Sequence, residues 1–162
     1  MPALAALMSS YMRETYHDTW HGSPEAMALD GFGREFEMHV ASTGDDLLGL
    51  AAWRKAYDLH HCISGAEVFD MFVVPAVRGR SIGASLICAV AAEVLQRGGK
   101  FLKGQAVDDL SVRRLYERVS VSFVAVECML AGRALRTMAS LASASPREMV
   151  RSLPPKAWNY EA

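Results

Sequence analysis

The stretch "EVFDMFVVPAVRGRSIGASL", residues 67–86, passes from a strand, through a basic turn with two glycines, into an apolar helical pattern. β-Branched and aromatic residues dominate Glu67 to Val74, and Pro75 ends the run because proline cannot donate to a ladder. From about Gly79 to Arg97, Ile82, Leu86, Ile87, Val90, Val94 and Leu95 recur at helical spacing. A strand leading directly into a helix predicts an α/β chain. A helix N-terminus offers unpaired N–H groups and the positive end of the helix dipole, a natural seat for phosphate. Gly79 and Gly83 would let that backbone approach a ligand closely, while Arg78 and Arg80 add forked cationic donors.

Upstream, Leu4, Leu7, Met8, Tyr11, Met12 and Thr15 recur at three- and four-residue steps and predict an amphipathic helix over Ala3 to Tyr16. Ser23 as N-cap, Pro24 and Glu25 open a second, short helix. Phe36, Met38 and Val40 alternate with polar residues, the mark of a half-buried strand. "STGDD" turns it into an antiparallel partner, "LLGLAAWRKAY", and the loop "DLHHCISG" leads to the strand at Glu67. Downstream, "RGGK" stops the long helix. "FLKGQAV" reads as a strand, "DDLSVRRLYERV" as a helix and "SVSFVAVECML" as a strand. Residues 133–153 read as helix broken at Pro146, before an extended tail. The order is ααβββαβαβ and then helix, in one domain spanning residues 1–162.

The composition of the 162 residues, 51% hydrophobic and 22% charged, is that of a globular protein with a sizeable core. A net charge of −1 argues against a dedicated nucleic-acid binder. Cys62, Cys88 and Cys128 are an odd number without paired spacing, so reduced thiols and a cytoplasmic setting are expected. No segment has the ~18 apolar residues of a membrane span, and the N-terminal residues lack a signal-peptide pattern.

The element order, the strand ending "VVP" and the turn together resemble the GNAT acyl-CoA N-acyltransferase superfamily. That family's signature (Arg or Gln, two residues, Gly, one residue, Gly or Ala) aligns with Arg78, Ser81 and Gly83. A second signature matches at Leu115, Tyr116, Glu117 and Arg118, with Asp109 where Asn is usual and Val112 where Ala is usual. The resemblance is firm from Glu67 to Met129 and topological for residues 4–60. Ser81 replaces the first signature glycine, Ser120-Val121 stands where Gly-Phe is usual, and the family's first strand is missing.

The resemblance implies a mixed, mostly antiparallel twisted sheet flanked by helices, with two central strands splayed apart, and acetyl-CoA as cofactor. Arg78, Gly79, Arg80, Ser81, Ile82, Gly83 and Ala84 would seat the pyrophosphate. The strand edge at Phe72, Val73 and Val74 would pair with the pantetheine arm, and Asp109 would be a further cofactor-binding residue. Tyr116 takes the position of the general acid; a phenol of pKa about 10 suits protonation of a departing thiolate. Glu67 is the first choice of general base, placed by strand alternation with Phe69, Met71 and Val73, with Asp70 on the opposite face. His60 or His61, or a water path, are the other routes for that proton. His17 and His21 read as surface histidines rather than zinc ligands, and adjacent His61 and Cys62 do not make a nucleophile pair.

The implied activity is acetyl transfer to a primary amine of a small molecule, a protein lysine or a protein N-terminus. A non-catalytic acyl-CoA-binding or regulatory module on the same fold is the alternative. A toxin-like enzyme acting on aminoacyl-tRNA would need a basic face that the charge balance does not offer. No nucleic-acid or membrane partner is expected, and exposed apolar surface at the first helix and the tail suggests a homodimer.

Overall fold

The structure, a computed structural model, describes residues 1–105, 136–137, 140 and 151–152. The chain divides into two compact units, Met1–Ser120 and Val121–Ala162. The first opens with α1 (Pro2–Thr15) and α2 (Pro24–Asp30), followed by β1 (Glu37–Thr43), β2 (Asp46–Asp58) and β3 (Ile63–Val73). After a 3₁₀ turn at Pro75–Val77 come α3 (Ile82–Gln96) and β4 (Leu102–Gly104). Of the second unit, Arg136, Thr137, Ser140 and Arg151 are described as helical. The predicted helix at 108–119, the strand at 120–130 and the tail lie outside the described residues, and so do Asp109, Tyr116 and Cys128.

Local chemistry sets the boundaries. Ser23 caps α2 by accepting from the Ala26 amide at 3.1 Å, with Pro24 in the first turn. Gly44, at φ +57, makes the tight turn that pairs Thr43 with Asp46. The β2–β3 connection is shorter than the expected loop. Asp58 accepts from the amides of His60 (2.8 Å) and His61 (3.3 Å), closing a hairpin in which Asp58 faces Ile63. Ser64 and Gly65, which look like loop residues in the sequence, are strand. Gly65 is there because a Cβ would lie 2.5 Å from Phe101 on the incoming β4 segment.

The sheet order is β1-β2-β3-β4, antiparallel except for the β3–β4 pair. It is covered on both faces, which is why Gly49 to Trp53 of β2 are all buried. On one side α3 packs Leu86, Val90 and Val94 against Ala51, Trp53, Ala66 and Val68. On the other, α1 packs Leu4, Leu7 and Tyr11 against Leu50 and Phe72. Leu95, expected on the apolar side of α3, is exposed. It lies one residue past Val94 and is rotated away from the buried stripe.

Candidate functional site

The chain leaves β3 at Val73 and reaches α3 through two left-handed residues, Gly79 at φ +74 and Ser81 at φ +63. Ser81 is the N-cap of α3, but its hydroxyl caps nothing, and no acidic residue occupies the first turn. The first bond of the helix runs from Ser85 N to Ser81 O at 2.9 Å, so the amides of Ile82, Gly83 and Ala84 lack intrahelical acceptors. The left-handed backbone explains why glycine is usual at the Ser81 position of the signature. A Cβ costs roughly 1–2 kcal/mol in that conformation. A Cβ on Gly83 would meet only the Met71 and Val73 side chains at 3.9 Å, so packing within the described residues does not require glycine there.

The two arginines differ. Arg80 is exposed and makes no ion pair among the described residues. Arg78 is tied back: it pairs with Glu14 of α1, donates from Nε to the Val73 carbonyl at 2.9 Å and lies 5.6 Å over the Phe72 ring.

Beside the turn, β3 offers an edge. Among the described residues its pairing with β4 runs to Val68↔Gly104, while β3 continues five residues further. The Val74 amide bonds to the Leu48 carbonyl at 2.9 Å, and Gly49 faces Val73 in the ladder. Antiparallel alternation therefore turns the N–H and C=O of Val73 away from β2, toward that edge.

A bulge changes the faces of β3. Ala52 pairs with Asp70 but Trp53 pairs with Val68, leaving Phe69 as the extra residue. Val68 and Met71 consequently both face α3, whereas Glu67, Phe69, Asp70 and Phe72 share the α1–α2 side. This corrects the placement from strict alternation, which put Glu67 with Met71 and Val73 and Asp70 opposite. A bulge leaves no simple mark in a sequence pattern.

Glu67 and Asp70 occupy different settings on this shared side. Glu67 Oε2 accepts from Arg54 Nε at 3.3 Å and Nη2 at 3.2 Å, and its Oε1 lies 3.7 Å from Lys103 Nζ. Both its oxygens face cations. Asp70 has no cation partner among the described residues; its Oδ1 accepts a hydrogen bond from the Tyr11 hydroxyl. Burial pushes the Asp70 carboxyl above its ordinary range, with the phenol bond pulling partly the other way. Tyr11 is itself held neutral, chiefly by burial and then by Asp70, and its hydroxyl also lies 3.2 Å from that of Tyr16.

Asp70 borders a cavity of about 250 Å³ between α1, α2 and the sheet. Its walls include Met8, Trp20, Met27, Phe36, Met38 and Phe69. Tyr11 links this cavity to the turn, since its ring lies 5.4 Å from that of Phe72 while its hydroxyl reaches Asp70. In the sequence Tyr11 reads only as one of the recurring positions of the first amphipathic helix. The signal available was Asp70 itself, an acid within "VFDMFV" that needs a partner.

His60 and His61 sit at the hairpin tip, with His61 Nδ1 2.7 Å from Asp58. Seven strand steps at ~3.3 Å separate Ile63 from Asp70, so these histidines lie on the order of 20 Å from the cavity. His17, at φ +54, follows the end of α1, so it and His21 do not share a helix face. Among the described residues no cluster of three or more His, Cys, Asp or Glu could hold a metal ion, and no helix is long and apolar enough to cross a membrane.

The model of the acetyltransferase (GNAT) family matches residues 1–120. No curated protein matches the sequence. Solved structures with the same fold include an integron cassette protein from the mobile metagenome of V. cholerae (TM-score 0.69, 18% identity, covering 85% of this chain and 90% of that one). A ribosomal-protein-alanine N-acetyltransferase from Brucella melitensis biovar Abortus 2308 aligns with TM-score 0.60 and 20% identity over 81% of this chain and 91% of that one. An aminoglycoside acetyltransferase from an uncultured soil metagenomic sample, in complex with sisomicin, gives 0.64 and 16% over 81% and 86%. At these identities the likeness is one of fold.

Proposed function

Because the chain belongs to the GNAT acetyltransferase family, we propose that it is an acetyl-CoA-dependent N-acetyltransferase acting on a primary amine. The observation that carries this reading is the N-terminus of α3, without a side-chain cap among the described residues, set beside the last five residues of β3, which have no outer strand partner among the described residues. The amides of Ile82, Gly83 and Ala84 and the guanidinium of Arg80 would hold the pyrophosphate, with Arg78, Gly79 and Ser81 shaping the approach. Phe72, Val73 and Val74 would hold the pantetheine arm, the outward-facing Val73 N–H serving as a backbone partner while its carbonyl already accepts from Arg78 Nε. When bound, acetyl-CoA supplies an activated acyl thioester.

The acceptor amine enters as an ammonium with pKa about 10 and must lose a proton before it attacks. We assign that proton to Asp70 Oδ2, the carboxylate oxygen not engaged by Tyr11. Burial makes this carboxylate a better base than a solvated one and narrows the mismatch with the amine. Glu67, between Arg54 and Lys103, positions the strand instead. Tyr116 is proposed as the acid for the leaving thiolate and Asp109 as a further contact to the acyl-CoA, both on the strength of the family resemblance.

Release of free CoA from acetyl-CoA in the presence of amines tests this reading, with Tyr116→Phe alongside. Turnover by the wild type, reduced ~10²-fold or more in the variant, is the expected result. Acetyl-CoA binding without turnover of any amine class would instead mark a non-catalytic binding module.

A further inference from the structure

The lining of the cavity beside Asp70 carries a statement about the acceptor. Its large apolar side chains include Met8, Trp20, Met27, Phe36, Met38 and Phe69, with Leu50 at the sheet. They come from α1, the α1–α2 connection, α2, the segment before β1, β1, β2 and β3, so the apolar character is shared by several elements rather than marking one wall of this partly open space. Phe36 packs edge-on against Phe69 with ring centroids 6.1 Å apart, which fixes one aromatic side. Two charged residues line the cavity among the described residues, Asp30 and Asp70, and both are acidic. They differ in setting. Asp30 is exposed at the end of α2, where solvent and salt screen it, whereas Asp70 is recessed and oriented by Tyr11. The volume, about 250 Å³, lies below the ~300–1,000 Å³ of pockets for drug-sized ligands. At ~30 Å³ per water-sized group it holds on the order of eight non-hydrogen atoms.

From this combination we infer that the acceptor is a small primary monoamine on an apolar body, of the arylalkyl or branched-alkyl kind, with its ammonium on Asp70 and its body against Trp20, Phe36 and Phe69. A polycationic sugar would leave most of its ammonium and hydroxyl groups facing side chains that cannot hydrogen-bond them, the costly arrangement for buried polar groups. A peptide N-terminus would bring backbone groups into the same apolar walls. A single cation with an apolar body satisfies both Asp70 and the walls. The catalytic form of this inference rests on the acetyltransferase reading; the binding preference does not.

The test therefore has two arms. In the first, phenethylamine, spermidine, sisomicin and an alanyl peptide are titrated calorimetrically into the full chain without acyl-CoA. In the second, the same compounds are compared as acceptors by release of free CoA. Phenethylamine is expected to bind at least tenfold more tightly than the other three and to give at least a tenfold higher kcat/KM. Asp70→Asn and Trp20→Ala should each weaken phenethylamine binding about tenfold. Ala26→Glu, at an exposed wall position that folding tolerates, should raise spermidine relative to phenethylamine. Phenethylamine binding without any response to acetyl-CoA would uphold the preference and sink the acetyltransferase reading. Acetyl-CoA turnover with sisomicin, spermidine or the peptide as the best acceptor would sink the preference and leave that reading intact. Failure of phenethylamine in both arms would overturn the inference outright.

Discussion

Asp70 is the residue on which chemistry and stability meet. Burial raises its carboxyl above the ordinary 3.8, so between that value and the raised folded one the native chain holds a proton that the unfolded chain has released. Stability accordingly falls as pH rises through that window. Asp70→Asn removes this contribution. Its denaturation midpoint is expected to exceed that of the wild type at neutral pH, with the difference shrinking as pH falls toward 4. The same variant should lose ~10²-fold or more in kcat/KM, because an amide cannot take the amine's proton. Chemical denaturation and CoA release, each measured across pH, check the two halves separately. Ser81 presents the opposite case, strain with no benefit in hydrogen bonding. Its left-handed backbone costs roughly 1–2 kcal/mol, against ~0.5–1 kcal/mol of chain entropy lost by a glycine, so Ser81→Gly should stabilise by up to about 1 kcal/mol.

Among the elements, α3 and β3 carry the cofactor reading and α1 ties them to the acceptor cavity. Gly83→Ala adds a methyl that meets only ordinary contacts at 3.9 Å, and alanine favours helix by up to ~1 kcal/mol. The variant is expected to be at least as stable as the wild type in thermal unfolding while binding acetyl-CoA more weakly, so the loss reports the ligand's approach rather than damage to the fold. Glu14 engages the Arg78 guanidinium in an ion pair. Glu14→Gln should release that guanidinium and tighten acetyl-CoA binding several-fold. The cost in stability should stay below about 1 kcal/mol, the usual worth of a partly exposed pair. Unchanged affinity in a calorimetric comparison would show that Arg78 serves the α1 anchor alone.

Across the molecule, elements are legible in the sequence where periodicity is strong and hidden where geometry breaks it. The two opening helices, the β1–β2 hairpin, the strand before the turn and the helix after it were legible because apolar residues recur at one period over each. Gly65 and Ser64 misled because a glycine demanded by close packing against Phe101 looks like a loop glycine. The faces of β3 were misplaced because one extra residue, Phe69, reverses the alternation from Asp70 onward. The Tyr11–Asp70 bond joins residues 59 positions apart, and no local pattern announces such a meeting.

Calorimetric titration of acetyl-CoA into the wild type and into Gly83→Glu asks whether the α3 turn holds an acyl-CoA. A wild-type Kd in the micromolar range is expected, with no measurable binding once a carboxylate stands among the amides of Ile82, Gly83 and Ala84. Equal binding by both proteins, or by neither, would contradict it.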